Sequence, residues 1–105
     1  MGEVVLTLTN GKEERVPLVN GTVVADRAFF YRTDIRKAVL PRGTTEIGEH
    51  AFEGCSSLVR VTIPEGVTKI GYGAFRGCLL CSLNIPEGVT KISGWAFFQC
   101  RALVS

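Results

Sequence analysis

Eight residues, Ile63-Pro64-Glu65-Gly66-Val67-Thr68-Lys69-Ile70, recur without change from Ile85 to Ile92. Chance does not supply such an identity in a chain of 105 residues, so the chain is built from copies of one unit. The offset is 22 residues here, and stepping backwards it becomes 23: Ala51-Phe52 aligns with Ala74-Phe75 and Ala96-Phe97, Ile47 with Ile70 and Ile92, and Cys55 with Cys78 and Cys100. A weaker copy precedes these three. Ala28-Phe29 lies 23 residues before Ala51-Phe52, and Ile35, Ala38, Leu40 and Pro41 fall on the register of Leu58, Val61, Ile63 and Pro64, with Arg32 standing in the cysteine column. One residue is missing after Cys78, which places Leu80 on Leu58 and Leu83 on Val61; a surface turn absorbs such a loss.

A unit of this length cannot bury its own apolar stripe, but stacked units cover one another at the ~4.8 Å strand spacing and share one core. Within a unit, Leu58, Val61 and Ile63 are expected to point inward from a strand, Val67 and Ile70 from the turn behind it, and Ala74 and Phe75 from a further segment. Pro64 and Pro86 end their strands, since proline has no N–H for a ladder. Gly66 and Gly88, with Gly43 and Asn20 on the same register, are expected to take a turn with positive φ.

A period of 20 to 29 residues with Leu-x-x-Val-x-Ile at its heart marks leucine-rich repeats. The finer pattern, Ile-Pro-Glu-Gly-Val-Thr-Lys-Ile-Gly-x-x-Ala-Phe-x-Gly-Cys-x-x-Leu, closely resembles the BspA-like subclass of these repeats, over about residues 22 to 105. The resemblance implies a right-handed repeat solenoid of leucine-rich-repeat type: a ladder of short parallel strands, tight turns, and short helical segments around each Ala-Phe. It also implies surface or secreted proteins used in adhesion.

Residues 1–20 read differently. Val4 to Thr9 alternates apolar and polar, Asn10-Gly11 is a two-residue turn signal, and Lys12 to Val19 can run back as a second strand. The expected organisation is one structural domain, with a hairpin cap over 1–20 and leucine-rich repeats over 21–105, one copy degenerate, three clear and the last incomplete. At the far end no cap is visible, so either the array continues or a partner closes it. Trp95 and Phe98 stand there in columns filled by His50 and Gly73, and by Glu53 and Arg76, in the middle copies. They read as a patch that docks another protein chain, or as rings folded over the last unit as an improvised cap.

A net charge of +2, from 12 Lys and Arg against 10 Asp and Glu, gives no reason to expect nucleic acid as partner. No apolar run approaches the roughly 20 residues that span a bilayer, and the start lacks the flank and cleavage site of a secretory signal. A complete chain would therefore be cytoplasmic; the relatives implied by the resemblance point instead to secretion or the cell surface.

The four cysteines invite a metal or redox reading, particularly Cys78-x-x-Cys81. Yet Cys78 belongs to a repeated column that a small buried thiol fills as an apolar residue. A structural zinc site wants four ligands, and His50 is the one histidine. Stacked units put successive cysteines near disulfide range, which an oxidising compartment would exploit. Gly71-Tyr72-Gly73 and Gly77 imitate a dinucleotide loop, but the third glycine is one place late and the repeat explains it. His50 and Cys55 have no third group to orient them for nucleophilic catalysis. Asn20-Gly21-Thr22 is a glycosylation sequon that matters only on a eukaryotic secretory route. No enzyme, metal or cofactor reading is supported.

Binding is expected on the outer side of the strand ladder. With Leu58, Val61 and Ile63 inward, the alternate positions Arg60 and Thr62 face out, matched by Lys37 and Val39 on one side and Ser82 and Asn84 on the other. Lys37 beside Arg60 makes a small basic spot. The functional expectation is a non-catalytic protein-interaction module, the alternatives being a structural subunit whose open end is buried against a partner, or a fragment of a surface adhesin.

Overall fold

The computed structural model describes residues 2–80 and 83–100. These residues form a coil of stacked rungs with two sheets and no helix. One sheet is built from β1 (Glu3–Leu8), β2 (Glu13–Pro17), β4 (Ile35–Val39) and β6 (Arg60–Thr62), in the order β2-β1-β4-β6. The other runs β3-β5-β7-β8, from β3 (Val23–Val24), β5 (Glu46–Ile47), β7 (Lys69–Ile70) and β8 (Lys91–Ile92). Pairing between rungs is parallel throughout, with Ala38 beside Val61 and with Ile47, Ile70 and Ile92 in one column.

The core is the repeat register made solid. Ile35, Leu58, Val67, Ile70, Ala74 and Phe75 are all wholly buried. Phe29, Phe52, Phe75 and Phe97 stack down the axis with ring centroids 5.0, 5.2 and 5.5 Å apart, the last two pairs within 5° of parallel. Each ring covers the next, so burial of a single phenylalanine depends on both neighbouring rungs.

Around each Ala-Phe, where helical segments were expected, there are turns instead. The backbone explains why. Arg27, His50, Gly73 and Trp95, just before each alanine, all have positive φ, and so do Tyr31, Gly54, Gly77 and Gln99, two places after each phenylalanine. A left-handed residue at both ends of a five-residue stretch leaves no room for a helical turn to propagate. Alternate N–H groups therefore leave the segment and bond to the next rung: His50, Phe52 and Gly54 donate to the carbonyls of Tyr72, Ala74 and Arg76 at 2.7–2.8 Å. The same three bonds join Gly73, Phe75 and Gly77 to Gly94, Ala96 and Phe98.

On the opposite flank the bonds that flank the β3-β5-β7-β8 ladder run from the later rung to the earlier. Thr45, Thr68 and Thr90 donate back to Thr22, Thr45 and Thr68, and Gly48, Gly71 and Ser93 donate back to Val24, Ile47 and Ile70.

Three sequence expectations need correction. Gly43 and Asn20 do adopt positive φ, but Gly66 and Gly88 do not, and a Cβ on either would make only ordinary contacts, 3.4 Å from the Thr44 carbonyl at Gly66 and 3.8 Å from the Glu65 carbonyl at Gly88. The hairpin loop is Thr9–Gly11 rather than a two-residue Asn-Gly turn, because Leu8 donates to Lys12 and Gly11 alone takes the left-handed conformation (φ +85°). Asn10 accepts the Lys12 N–H instead. Finally, Leu83, Asn84 and Ile85 extend neither sheet, and Ile85 is exposed.

Residues 1–20 meet the coil through β1, which pairs antiparallel with β2 on one side and with β4 on the other. The β4 edge that faces away from β6 is thereby occupied along Val5–Leu8.

Candidate functional site

Strand alternation places Ala38 and Val61 in the core and turns Lys37, Val39, Arg60 and Thr62 outward. Lys37 lies in register with Arg60, and Val39 with Thr62. Neither Lys37 nor Arg60 has a carboxylate within ion-pairing distance among the described residues. The hairpin widens this face, since Thr7 pairs with Lys37 and Val5 with Val39. The half-buried Val5 and the exposed Val39 thus form an apolar spot beside two unneutralised cations. Asn84 is exposed and borders a shallow hollow of about 220 Å³ with Arg60 and Thr62. Ser82 lies outside the described residues.

Trp95 and Phe98 meet at 4.3 Å between ring centroids, and the Arg76 guanidinium of the preceding rung sits 4.8 Å from the first and 5.3 Å from the second. Such cation–π contact orients the rings but leaves them 48% and 42% exposed. Ile92, in the same rung, is exposed to the same degree.

Bulky side chains along this flank lie over glycines of the next rung. A Cβ on Gly54 would stand 2.4 Å from the Tyr31 ring, one on Gly73 2.9 Å from His50 Nδ1, and one on Gly94 3.5 Å from the Tyr72 ring. His50 also bonds Glu53 through Nδ1 and meets the Tyr72 ring edge-on at 5.5 Å. The histidine is thus engaged by its own rung and the next.

Cys55, Cys78 and Cys100 are free thiols, each donating to the phenylalanine carbonyl of the preceding rung, Phe29, Phe52 and Phe75, at 3.0–3.1 Å. Burial pushes Cys55 up to about 12 and raises Cys78 and Cys100 as well, so the thiols stay protonated and are poor nucleophiles at neutral pH. No group of metal-ligating side chains occurs among the described residues.

Sequence reasoning missed the role of Arg32. Its guanidinium takes Glu14 of the hairpin at 2.8 and 3.3 Å and Asp34 of its own rung at 2.9 Å. Hydrogen bonds from Arg32 hold both carboxyls below their ordinary values, and these bonds raise the arginine in turn. The signal was present: the one copy that lacks the cysteine is the copy that the hairpin touches.

Comparison with known proteins agrees with this geometry. A protein-family profile described as a BspA type leucine rich repeat region matches residues 22–105 in six copies. Among solved structures, a leucine rich cell surface protein from Faecalibacterium prausnitzii is 36% identical with a TM-score of 0.76, covering 77% of this chain and 21% of its own. The chain thus spans about a fifth of that protein's length. A leucine-rich repeat protein from Bacteroides capillosus is 31% identical with a TM-score of 0.70, covering 96% of this chain and 69% of its own. A leucine rich repeat protein from T. pallidum is 27% identical with a TM-score of 0.60 over 84% of this chain and 54% of its own. No curated protein gives a significant match. The stacked phenylalanines, the thiol column and the matched profile together place this chain in the BspA-type leucine-rich repeat family.

Proposed function

We propose that the chain is a non-catalytic protein-interaction module that binds through the outer face of the β2-β1-β4-β6 sheet. The observation that carries this reading is the pair Lys37 and Arg60, side by side in register with no carboxylate among the described residues neutralising either. Two like charges a strand apart repel, and an acidic partner removes that repulsion on docking. Val39 and Val5 supply the apolar centre, and Thr62 and Asn84 the polar margin. The partner that fits is an acidic polypeptide with an apolar stripe. The Faecalibacterium relative is named a cell surface protein; by analogy the module works at a cell surface, as part of an adhesin.

The test is a titration with a glutamate-rich peptide carrying a leucine stripe, followed by calorimetry. Binding that weakens with salt and disappears in the double variant Lys37→Glu, Arg60→Glu, but survives charge reversal at Lys12 and Arg42, supports the reading. Equal binding by both variants, or none by the unaltered chain, overturns it.

A second reading, a structural subunit with one end buried against another polypeptide, is favoured by the joint exposure of Ile92, Trp95 and Phe98 in one rung. Replacing Trp95 and Phe98 by Ser tests it: loss of association with an unchanged melting curve marks a docking patch, whereas melting marks the rings as an improvised cap and overturns this second reading.

A further inference from the structure

One column of the Ala-Phe flank is open in the middle of the coil. Tyr31, Gly54, Gly77 and Gln99 occupy it in successive rungs. The Tyr31 ring leans onto Gly54, but nothing stands over Gly77, where an added Cβ would meet only Gly54 backbone at 3.8 Å. The result is a hollow of about 370 Å³ floored by the two glycines, a size suited to a small ligand. Its floor lies in the second and third rungs, with described rungs on both sides.

Glu53, which precedes the first glycine, lines this hollow although the residue is only 8% exposed. A carboxylate so deeply set is costly unless hydrogen-bonded. Oε1 is engaged by His50 Nδ1, whereas Oε2 has no partner among the described residues. No buried side-chain oxygen or nitrogen of the described residues lacks a partner, so Oε2 is the atom that opens to the hollow. Arg76 lines the same hollow from the next rung without forming an ion pair to Glu53; its guanidinium lies over Trp95 and Phe98 instead. An acceptor and a fork of donors are thus each held from outside the hollow. The Ser56 and Thr33 hydroxyls and the Gln99 amide, which both give and accept, complete the polar lining. The Tyr31 ring, 59% exposed, adds an apolar surface with a negative face.

Opposite charges set side by side disfavour a ligand of strong charge of either sign. Satisfying both takes adjacent groups that donate and accept, and the ring takes an electropositive C–H face. We propose that the hollow binds one hexopyranose ring of a neutral glycan, with neighbouring hydroxyls on Glu53 Oε2 and Arg76 and the C–H face against Tyr31.

The experiment is an amide NMR titration of the whole chain with the methyl glycosides of glucose, galactose, mannose and N-acetylglucosamine, and with glucuronate and glucosamine as charged probes. The expected result is a saturating shift of the Gly54 and Gly77 amides with at least one neutral glycoside. Glu53→Gln is expected to weaken that binding about tenfold, because a charge-assisted hydrogen bond is lost. Tyr31→Ala is expected to abolish it, and the double variant Lys37→Glu, Arg60→Glu to leave it unchanged. No saturating shift with any neutral glycoside overturns the proposal. So does tighter binding of a charged probe than of every neutral one, or binding that either Glu53→Gln or Tyr31→Ala leaves intact. If Glu53→Gln fails to fold, Tyr31→Ala, made at an exposed ring, decides alone. The peptide titration reads the sheet face separately, so failure here leaves that reading standing.

Discussion

Arg32 ties Glu14 to the coil: its guanidinium donates to both oxygens of a carboxylate 18 positions earlier in the chain while holding Asp34 on its other side. The tether fixes the hairpin against the first rung from the side chain, where β1 and β4 fix it from the backbone.

Removing this tether by Arg32→Ala is expected to cost at most about 1 kcal/mol, since the groups are one-third to one-half exposed and solvent screens the pairs. Urea unfolding measures the loss. The pH dependence has a definite sign. Both carboxyls are depressed in the folded chain, so their contribution is present above the ordinary carboxylate range, about pH 4, and is lost as pH falls below it. Arg32→Ala is expected to flatten that acid limb; an unchanged acid limb would show that the tether contributes nothing.

Phe75 has a stacked ring on each side and no exposure. Phe75→Ala opens a cavity in the middle of the column and is expected to destabilise the chain by about 3–5 kcal/mol. Circular dichroism against denaturant checks this, with loss of cooperativity across all rungs as the companion observation, because adjacent rungs share the core.

Gly54 and Gly77 occupy the same column with the same backbone, φ +74° and +76°, but differ in what lies above them. Gly77 has only the Gly54 backbone at 3.8 Å, so Gly77→Ala is expected to cost the left-handed penalty alone, about 1–2 kcal/mol. Gly54→Ala meets the Tyr31 ring in addition and is expected to cost more. In a Tyr31→Ala background the two glycine substitutions should become equal. A double-mutant cycle in thermal unfolding reads this, and additivity at Gly54 would refute the contact.

The thiols supply a kinetic prediction. With burial pushing Cys55 up to about 12 and raising Cys78 as well, alkylation by iodoacetamide at neutral pH is expected to follow unfolding for these two, with Cys100, only partly buried, reacting first. Rapid modification of Cys78 in the folded chain, read by mass spectrometry, would contradict its hydrogen bond to Phe52.

The repeat register made the core legible because each apolar column, from Ile35 to Leu58 and from Phe52 to Phe75, is buried where neighbouring rungs stack. The helical segments were implied by the resemblance alone, and the left-handed residues on either side of each Ala-Phe, His50 and Gly54 in the second rung, divert the N–H groups sideways instead. Positive φ at a histidine, an arginine or a tryptophan leaves no trace in composition. The outward positions Lys37, Val39, Arg60 and Thr62 followed from strand alternation, but Val5 and Thr7 joined that face through an antiparallel pairing between distant segments, which no local pattern encodes.

Tyr31 over Gly54 and His50 over Gly73 mean that the first turns of the coil are moulded to their own successors. Swapping two turns, or duplicating one, would set ring against ring or leave a glycine uncovered. The departures from perfect repetition are therefore an address system: they fix the sequence in which near-identical units assemble, and they penalise the out-of-register pairings to which a uniform array would be prone.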